Sequence, residues 1–101
     1  MEIFQNSSNP NPDEFYANLK LRLEENHNFP ENYIFKFVLP NDQLKLIELL
    51  RVFDGLKYTM SSRESKNAKY ISITLDAFVL DADDVIRRYK SAGEISGIMM
   101  L

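Results

Sequence analysis

Three stretches of the chain repeat apolar residues every three or four positions, the spacing that is typical of amphipathic helices. The first begins at residue 12 and runs to about residue 25, where Phe15 or Tyr16, Leu19 and Leu23 form one apolar stripe. Asn11 and Pro12 supply a helix cap and a first-turn proline. This helix therefore needs another element to cover its stripe.

The second and third helical patterns have clearer ends. The second begins after Asn41 and Asp42, ends near Gly55, and has a stripe of Leu46, Leu49, Leu50 and Phe53. The third is predicted to be capped by Asp81, with Asp84 at the third helical position, and to end at Gly93. Its stripe consists of Ala82, Val85, Ile86, Tyr89 and Ala92.

Large apolar residues at every second position predict β-strands at residues 33–39 and 69–79. A second strand is expected at about residues 57–62, followed by a polar hairpin loop at 63–68. The apolar residues 95–101 are expected to close the chain as a final strand. The sequence of elements is thus a helix followed by strand, helix, strand, strand, helix and strand.

That order predicts a single α+β domain, residues 12–101, with a ferredoxin-like βαββαβ sandwich at residues 29–101. Two helices would cover one face of a four-stranded antiparallel sheet, and the helix at 12–25 would be an addition. The polar residues 1–11 are expected to form a flexible leader, because they lack apolar content to offset the entropy of ordering.

The opposite face of the predicted sheet has no helix assigned to it. By alternation it should carry Ile34, Lys36, Val38, Tyr70, Ser72 and Thr74, and Ile98 and Met100 are expected to join them. Contiguous apolar surface rarely stays bare on a monomer. We therefore expect either the N-terminal helix, through Phe15, Leu19 and Leu23, or a second subunit to cover this face.

Charge and composition narrow the classes of partner. With 12 Lys and Arg against 15 Asp and Glu, the net charge of −3 disfavours nucleic-acid binding. Nucleic-acid bases would also need aromatic rings on the open sheet face to stack on. Phe35 and Phe37 should face the helices, so only Lys36 and Tyr70 remain on that face as a platform. No stretch resembles a signal peptide or a membrane span, so a cytoplasmic protein without membrane contact is expected.

Candidate chemistry is sparse, and no cofactor, metal or catalytic residue is predicted. The chain has no cysteine and one histidine, His27, which we expect to be a solvated helix-end residue. Asp81, Asp83 and Asp84 are better explained as a helix cap than as a cation site, because calcium loops need further ligands and a glycine. The basic residues Arg87, Arg88 and Lys90 are expected on a solvated helix face.

Two segments could bind an anion, but their residues do not favour it. The segment containing Ser61, Ser62, Arg63, Ser65 and Lys66 offers hydroxyls and charges, but it lacks the glycines of a phosphate loop, so a hairpin is favoured. An acyl-phosphate hydrolase would need a paired arginine and asparagine after the first strand. Asn41 is present there, but no arginine precedes it, and an enzyme is not expected.

Residues 29–40 (FPENYIFKFVLP) and 61–74 (SSRESKNAKYISIT) resemble the YbeD-like family of domains of unknown function. The resemblance extends over residues 29–101. It implies an α-β plait similar to the ACT regulatory domain, which binds small effectors such as amino acids, often at a subunit interface. It carries no established activity.

Two functional hypotheses follow. The first is a non-enzymatic regulatory or protein-interaction module that uses the open sheet face, at Ile34, Lys36, Val38, Tyr70 and Ser72, to contact a protein partner or a second copy. The second is an ACT-like domain that binds an amino-acid-like effector where the first strand meets the first helix of the plait. The residues of that junction are Pro40, Asn41 and Asp42.

Overall fold

A computed structural model describes residues 12–101 of the chain. Its elements, in chain order, are α1, Pro12–Asn26; β1, Glu31–Pro40; α2, Gln43–Val52; β2, Tyr58–Glu64; β3, Tyr70–Val79; α3, Ala82–Ala92; and β4, Met99–Met100. The expected leader at residues 1–11, including Asn11 as a helix cap, lies outside the described residues.

The four strands form one open antiparallel sheet in the order β2-β3-β1-β4. The central strands β1 and β3 have 10 residues each and pair along their full length, from Glu31 opposite Val79 to Pro40 opposite Tyr70. An α+β chain with this sheet and three helices is compatible with a ferredoxin-like fold.

One face of the sheet packs against the helices and forms the core. Alternate residues of the central strands are fully buried there, among them Phe35 and Phe37 of β1 and Leu75 of β3. Burial of each such side chain stabilises the fold by roughly 1.5–3 kcal/mol. The helices contribute Leu23 of α1, Leu49 of α2, and Ala82, Val85, Ile86, Tyr89 and Ala92 of α3 to the same cluster. All three helices therefore lie on one side of the sheet.

Helix α1 lies beside α3. Lys20 of α1 forms an ion pair with Asp83 of α3 at 3.1 Å, and Lys90 of α3 lies over the Tyr16 ring, 4.5 Å from its centroid. The hydrogen bond with Asp83 raises the pKa of the Lys20 ammonium group. Since Leu23 joins the core, α1 does not cover the opposite face of the sheet. The expectation that the N-terminal helix covers this face is therefore wrong.

The predicted caps are confirmed at both later helices. The Asp42 side chain accepts a hydrogen bond from the Leu44 N–H at 2.9 Å, and the Asp81 side chain accepts one from the Asp84 N–H at 2.8 Å. Gly93 is the C-terminal cap of α3, as predicted.

The boundaries of β1, β2 and β4 differ from the expectation. β1 runs from Glu31 to Pro40 instead of over residues 33–39. β2 runs to Glu64, so Arg63 belongs to the strand and not to the loop. β4 comprises two residues instead of seven, with Met99 opposite Val38 and Met100 opposite Phe37. Because Phe37 faces the core, Met100 packs inward.

The expectation that Ile98 and Met100 join the open face is therefore wrong. Both side chains are partly buried against the core, and Met99 points to the open face instead. The expected alternation of this strand is shifted by one residue from the structure. Such a shift moves every side chain of a strand to the opposite face of the sheet.

Candidate interaction face

The sheet face turned away from the helices, here called the outer face, collects the residues predicted for it. Ile34, Lys36 and Val38 alternate with the buried residues of β1, and Tyr70 and Ser72 do the same on β3. The antiparallel register places them in one connected area, because Val38 lies opposite Ser72 and Pro40 lies opposite Tyr70.

Large apolar side chains on the outer face are exposed to solvent. Ile34 is 55% exposed, Tyr70 47% and Met99 50%. Phe78 of β3 and Leu101, beyond β4, add to them at 42% and 57%. Their combined area is the kind of surface that marks an interaction site on a small domain.

A groove of about 510 Å³ crosses the middle of the outer face. We call it the hydroxyl groove, after the side chains that line it: Lys36, Ser61, Arg63, Ser72, Thr74 and Leu101. The register explains this grouping. Lys36, Thr74 and Ser61 lie side by side across three strands, and Ser72 lies opposite Arg63 in the adjacent row.

The polar groups of the hydroxyl groove have no partners within the described chain. Neither Lys36 nor Arg63 forms an ion pair with a carboxylate of residues 12–101. None of the side-chain hydrogen bonds of the described residues uses the Ser61, Ser72 or Thr74 hydroxyl. Two cations and three hydroxyls are therefore available to a ligand.

A second cavity, of about 650 Å³, opens at the other end of the outer face and is called the end cavity. Its lining consists of Asn32, Leu56, Lys57, Tyr58, Thr59, Asp76 and Phe78. One Asp76 oxygen accepts a hydrogen bond from the Asn32 side chain at 2.9 Å. The end cavity thus combines one cation, one anion and two partly exposed aromatic rings, Tyr58 and Phe78.

The predicted effector junction, Pro40 to Asp42, lies in neither of these two cavities. The Asn41 side-chain amide donates to Glu64 Oε2 at 2.7 Å and to the Ala68 carbonyl at 3.0 Å. Asp42 caps α2, as described above. The polar atoms of this junction therefore connect β1, α2 and the β2–β3 hairpin.

The hairpin interpretation of residues 61–70 is confirmed. In the turn, the Ser65 N–H donates to the Tyr70 carbonyl at 2.8 Å, and the Ser65 hydroxyl accepts from the Tyr70 N–H at 3.1 Å. Asn67 Oδ1 accepts from the Lys69 N–H. The prediction missed that Ser61 and Arg63 share the outer face with Lys36.

The acidic and basic residues of α3 form a structural network. Asp81 is a cap, as predicted, but Asp83 pairs with Lys20, and Asp84 is buried and bonded to Arg87 and Arg88. Arg88 is not solvated as expected, since its guanidinium also donates to the Val52 carbonyl at 2.7 Å. Within residues 12–101, no three His, Cys, Asp or Glu side chains are grouped to hold a metal ion.

His27 is half-buried, so its expected solvation is wrong. Its Nδ1 lies 2.7 Å from Glu31 Oε2, and its ring centroid lies 5.2 Å from that of Tyr33 and 5.5 Å from that of Phe29. The imidazole thereby joins the end of α1 to the start of β1.

Comparisons with known proteins give this chain no relative: no protein-family model, curated protein or solved structure matches it. None of the helices in residues 12–101 has the length and apolar character needed to cross a membrane.

Proposed function

We propose that this chain is a non-enzymatic interaction module that binds a protein partner through its outer face. The observation that carries the proposal is a sheet face that none of the helices in residues 12–101 covers, on which Ile34, Tyr70 and Met99 are about half exposed. Apolar and aromatic residues beside an arginine are typical of the centres of protein interfaces.

The charges on the outer face favour a different protein over a second copy. In a two-fold dimer whose axis passes through the hydroxyl groove, Lys36 and Arg63 of one subunit would approach the same cations of the other. Neither cation has a carboxylate partner within the described chain to reduce that repulsion. A partner that presents anionic groups would remove it.

The fold assignment is part of the proposal. A ferredoxin-like βαββαβ plait with α1 as an added helix, similar to YbeD-like and ACT-like domains, accounts for the resemblance at residues 29–40 and 61–74. The ACT domain is a regulatory binding module, and this analogy of fold favours contact over catalysis.

The test compares capture of proteins from the native cell extract by three forms of the chain. Ile34→Glu places a charge on the outer face, and Leu44→Glu places the same charge on α2, where Leu44 is 70% exposed. We expect one partner to be retained by the wild type and by Leu44→Glu and to be lost with Ile34→Glu.

Capture that does not differ among the three forms would contradict the proposal. Sedimentation analysis of the purified chain tests whether a second copy of the chain, and not a different protein, binds the outer face. A dimer that Ile34→Glu dissociates and Leu44→Glu does not would replace the protein partner with a second copy.

The end cavity supports a second candidate, an amino-acid-like effector site. Lys57 and Asp76 offer opposite charges to the carboxylate and ammonium groups of such a ligand, and Phe78 and Tyr58 offer apolar contact. A specific amino acid should raise the melting temperature of the wild type by mass action and should not raise that of Asp76→Asn. The same shift in both forms would contradict this candidate.

A further inference from the structure

The hydroxyl groove has the donor set of an anion site. Lys36 and Arg63 approach it from β1 and β2, which flank β3, and the hydroxyls of Ser72 and Thr74 lie between them. Strands are about 4.8 Å apart, so the backbones of β1 and β2 are separated by roughly 10 Å. Lysine and arginine side chains are long enough to reach one ligand from both sides of that gap.

From this geometry we infer that the hydroxyl groove binds a phosphate monoester carried by the protein partner. The inference rests on the proposed function, because it assigns the group that the partner presents. A phosphate monoester carries a charge of about −1.5 to −2 at neutral pH, which matches two cations, whereas a carboxylate carries only one negative charge. Its three terminal oxygens accept hydrogen bonds from guanidinium, ammonium and hydroxyl donors together.

No carboxylate of residues 12–101 forms an ion pair with Lys36 or Arg63. The outer-face carboxylate nearest along β3 is Asp76, two residues beyond Thr74. It lies opposite Ile34, and one of its oxygens is held by Asn32 in the end cavity. The cations of the groove are thus left for a ligand.

The surroundings of the groove suit a peptide-borne phosphate. Leu101 lines the groove, and Val38 lies opposite Ser72, so apolar contacts adjoin the polar floor on its β1 side. The lining residues Lys36, Arg63 and Ser72 are exposed to solvent, so a peptide chain can extend on either side of the phosphorylated residue. A partner can then place apolar side chains on this border while its phosphate lies over the hydroxyls.

The experiment is an NMR titration of the full chain at neutral pH and constant ionic strength, read from the backbone amide resonances. The probes are N-acetyl-O-phosphoserine amide, inorganic phosphate and acetate. We expect the phosphoserine probe to shift the resonances of Ser61, Ser72 and Thr74 along a saturable curve. Acetate should bind at least about tenfold more weakly, because it lacks the second charge.

Two double variants provide the control. Lys36→Gln with Arg63→Gln should weaken binding of the phosphoserine probe at least about tenfold, because both charge-assisted contacts are lost. Arg22→Gln with Arg51→Gln removes the same charge from exposed positions on α1 and α2, on the other side of the sheet, and should leave that binding unchanged. An equal loss in both pairs would show that only the net charge matters and would overturn the inference.

The remaining outcomes are decisive as well. Shifts that do not saturate, or that miss the groove, overturn the assignment. Acetate that binds as tightly as phosphoserine makes the site a carboxylate site, and binding of inorganic phosphate without phosphoserine removes the partner as its source. If the groove fails any of these tests while capture still depends on Ile34, the proposed function stands and only this inference is lost.

Discussion

The carboxylate of Asp84, whose side chain is 2% exposed, accepts a hydrogen bond from Arg88 Nε at 3.1 Å, one turn further along α3. The same guanidinium donates to the Val52 carbonyl at the end of α2. One buried carboxylate thereby holds the arginine that connects two helices, and its remaining oxygen accepts from the Leu80 N–H at 3.4 Å.

Asp84→Asn should therefore lower the free energy of unfolding by about 2–4 kcal/mol, because Arg88 stays partly buried and loses its counter-charge. The matched control is Asp83→Asn, whose ion pair with Lys20 is exposed to solvent and should contribute little to stability. Urea unfolding of both variants checks the difference. Equal losses would mean that burial of the Asp84 pair does not matter.

Gly97 lies against Pro40. A Cβ atom at Gly97 would be 2.9 Å from Pro40 Cγ, and the φ angle of +83° is one that side chains disfavour. We expect Gly97→Ala to lower the free energy of unfolding by about 2–4 kcal/mol, because it adds a clash with Pro40 to the backbone strain.

Gly55→Ala separates the two causes, since Gly55 has φ +86° and no atom within 4 Å of an added Cβ. Gly55→Ala should lower the free energy of unfolding by only about 1–2 kcal/mol, because it adds backbone strain without a clash. Thermal unfolding of both variants gives the comparison. A Gly97→Ala loss no larger than that of Gly55→Ala would contradict the close contact.

Burial raises the pKa of the Tyr89 phenol well above its ordinary value of 10.0, and the neighbouring Tyr33 adds to the effect. The folded chain then keeps this proton at pH values where the unfolded chain releases it. The contribution to stability is complete below about pH 10 and is lost as the pH rises further.

Tyr89→Phe should thus reduce the fall in unfolding free energy between about pH 8 and about pH 11. Tyr70→Phe serves as control, because Tyr70 is 47% exposed and its substitution should leave the alkaline fall unchanged. Urea unfolding at both pH values measures this fall for the wild type and each variant. If Tyr89→Phe and wild type lose the same stability, the Tyr89 phenol is not the cause.

Ala68 in the β2–β3 turn has φ +58°, the left-handed region that favours glycine. Ala68→Gly should raise the free energy of unfolding by about 0.5–1 kcal/mol by relieving this strain. The same substitution at Ala17, exposed in the middle of α1, should lower it by about 1 kcal/mol. A loss at both positions in urea unfolding would refute the strained turn.

Six residues of the outer face could be predicted because inward and outward positions alternate along the central strands. Phe35 and Phe37 point inward, so Ile34, Lys36 and Val38 must point outward. Asp42 and Asp81 were predictable as caps for a similarly local reason, since a cap depends on the next three residues.

Arg63 was not predictable in the same way. Every residue of β2, an edge strand, is exposed. The alternation of apolar and polar residues in its sequence stops at Ser62, two residues before the strand ends, so the pattern does not show that end. Met99 was misplaced because an apolar run such as residues 98–101 fits either register equally well. The ion pair between Lys20 and Asp83 joins positions 63 residues apart, which no local pattern reports.

The edge position of β2 has a consequence for how rapidly its amide hydrogens exchange with solvent. The Phe78 N–H donates to the Lys57 carbonyl and the Ser65 N–H donates to the Tyr70 carbonyl, so the odd-numbered residues along β2 direct their main-chain groups toward β3. The even-numbered residues direct theirs away from the sheet, where residues 12–101 supply no further strand. The Ser62 amide should therefore exchange much faster than that of its neighbour Ser61, which faces β3.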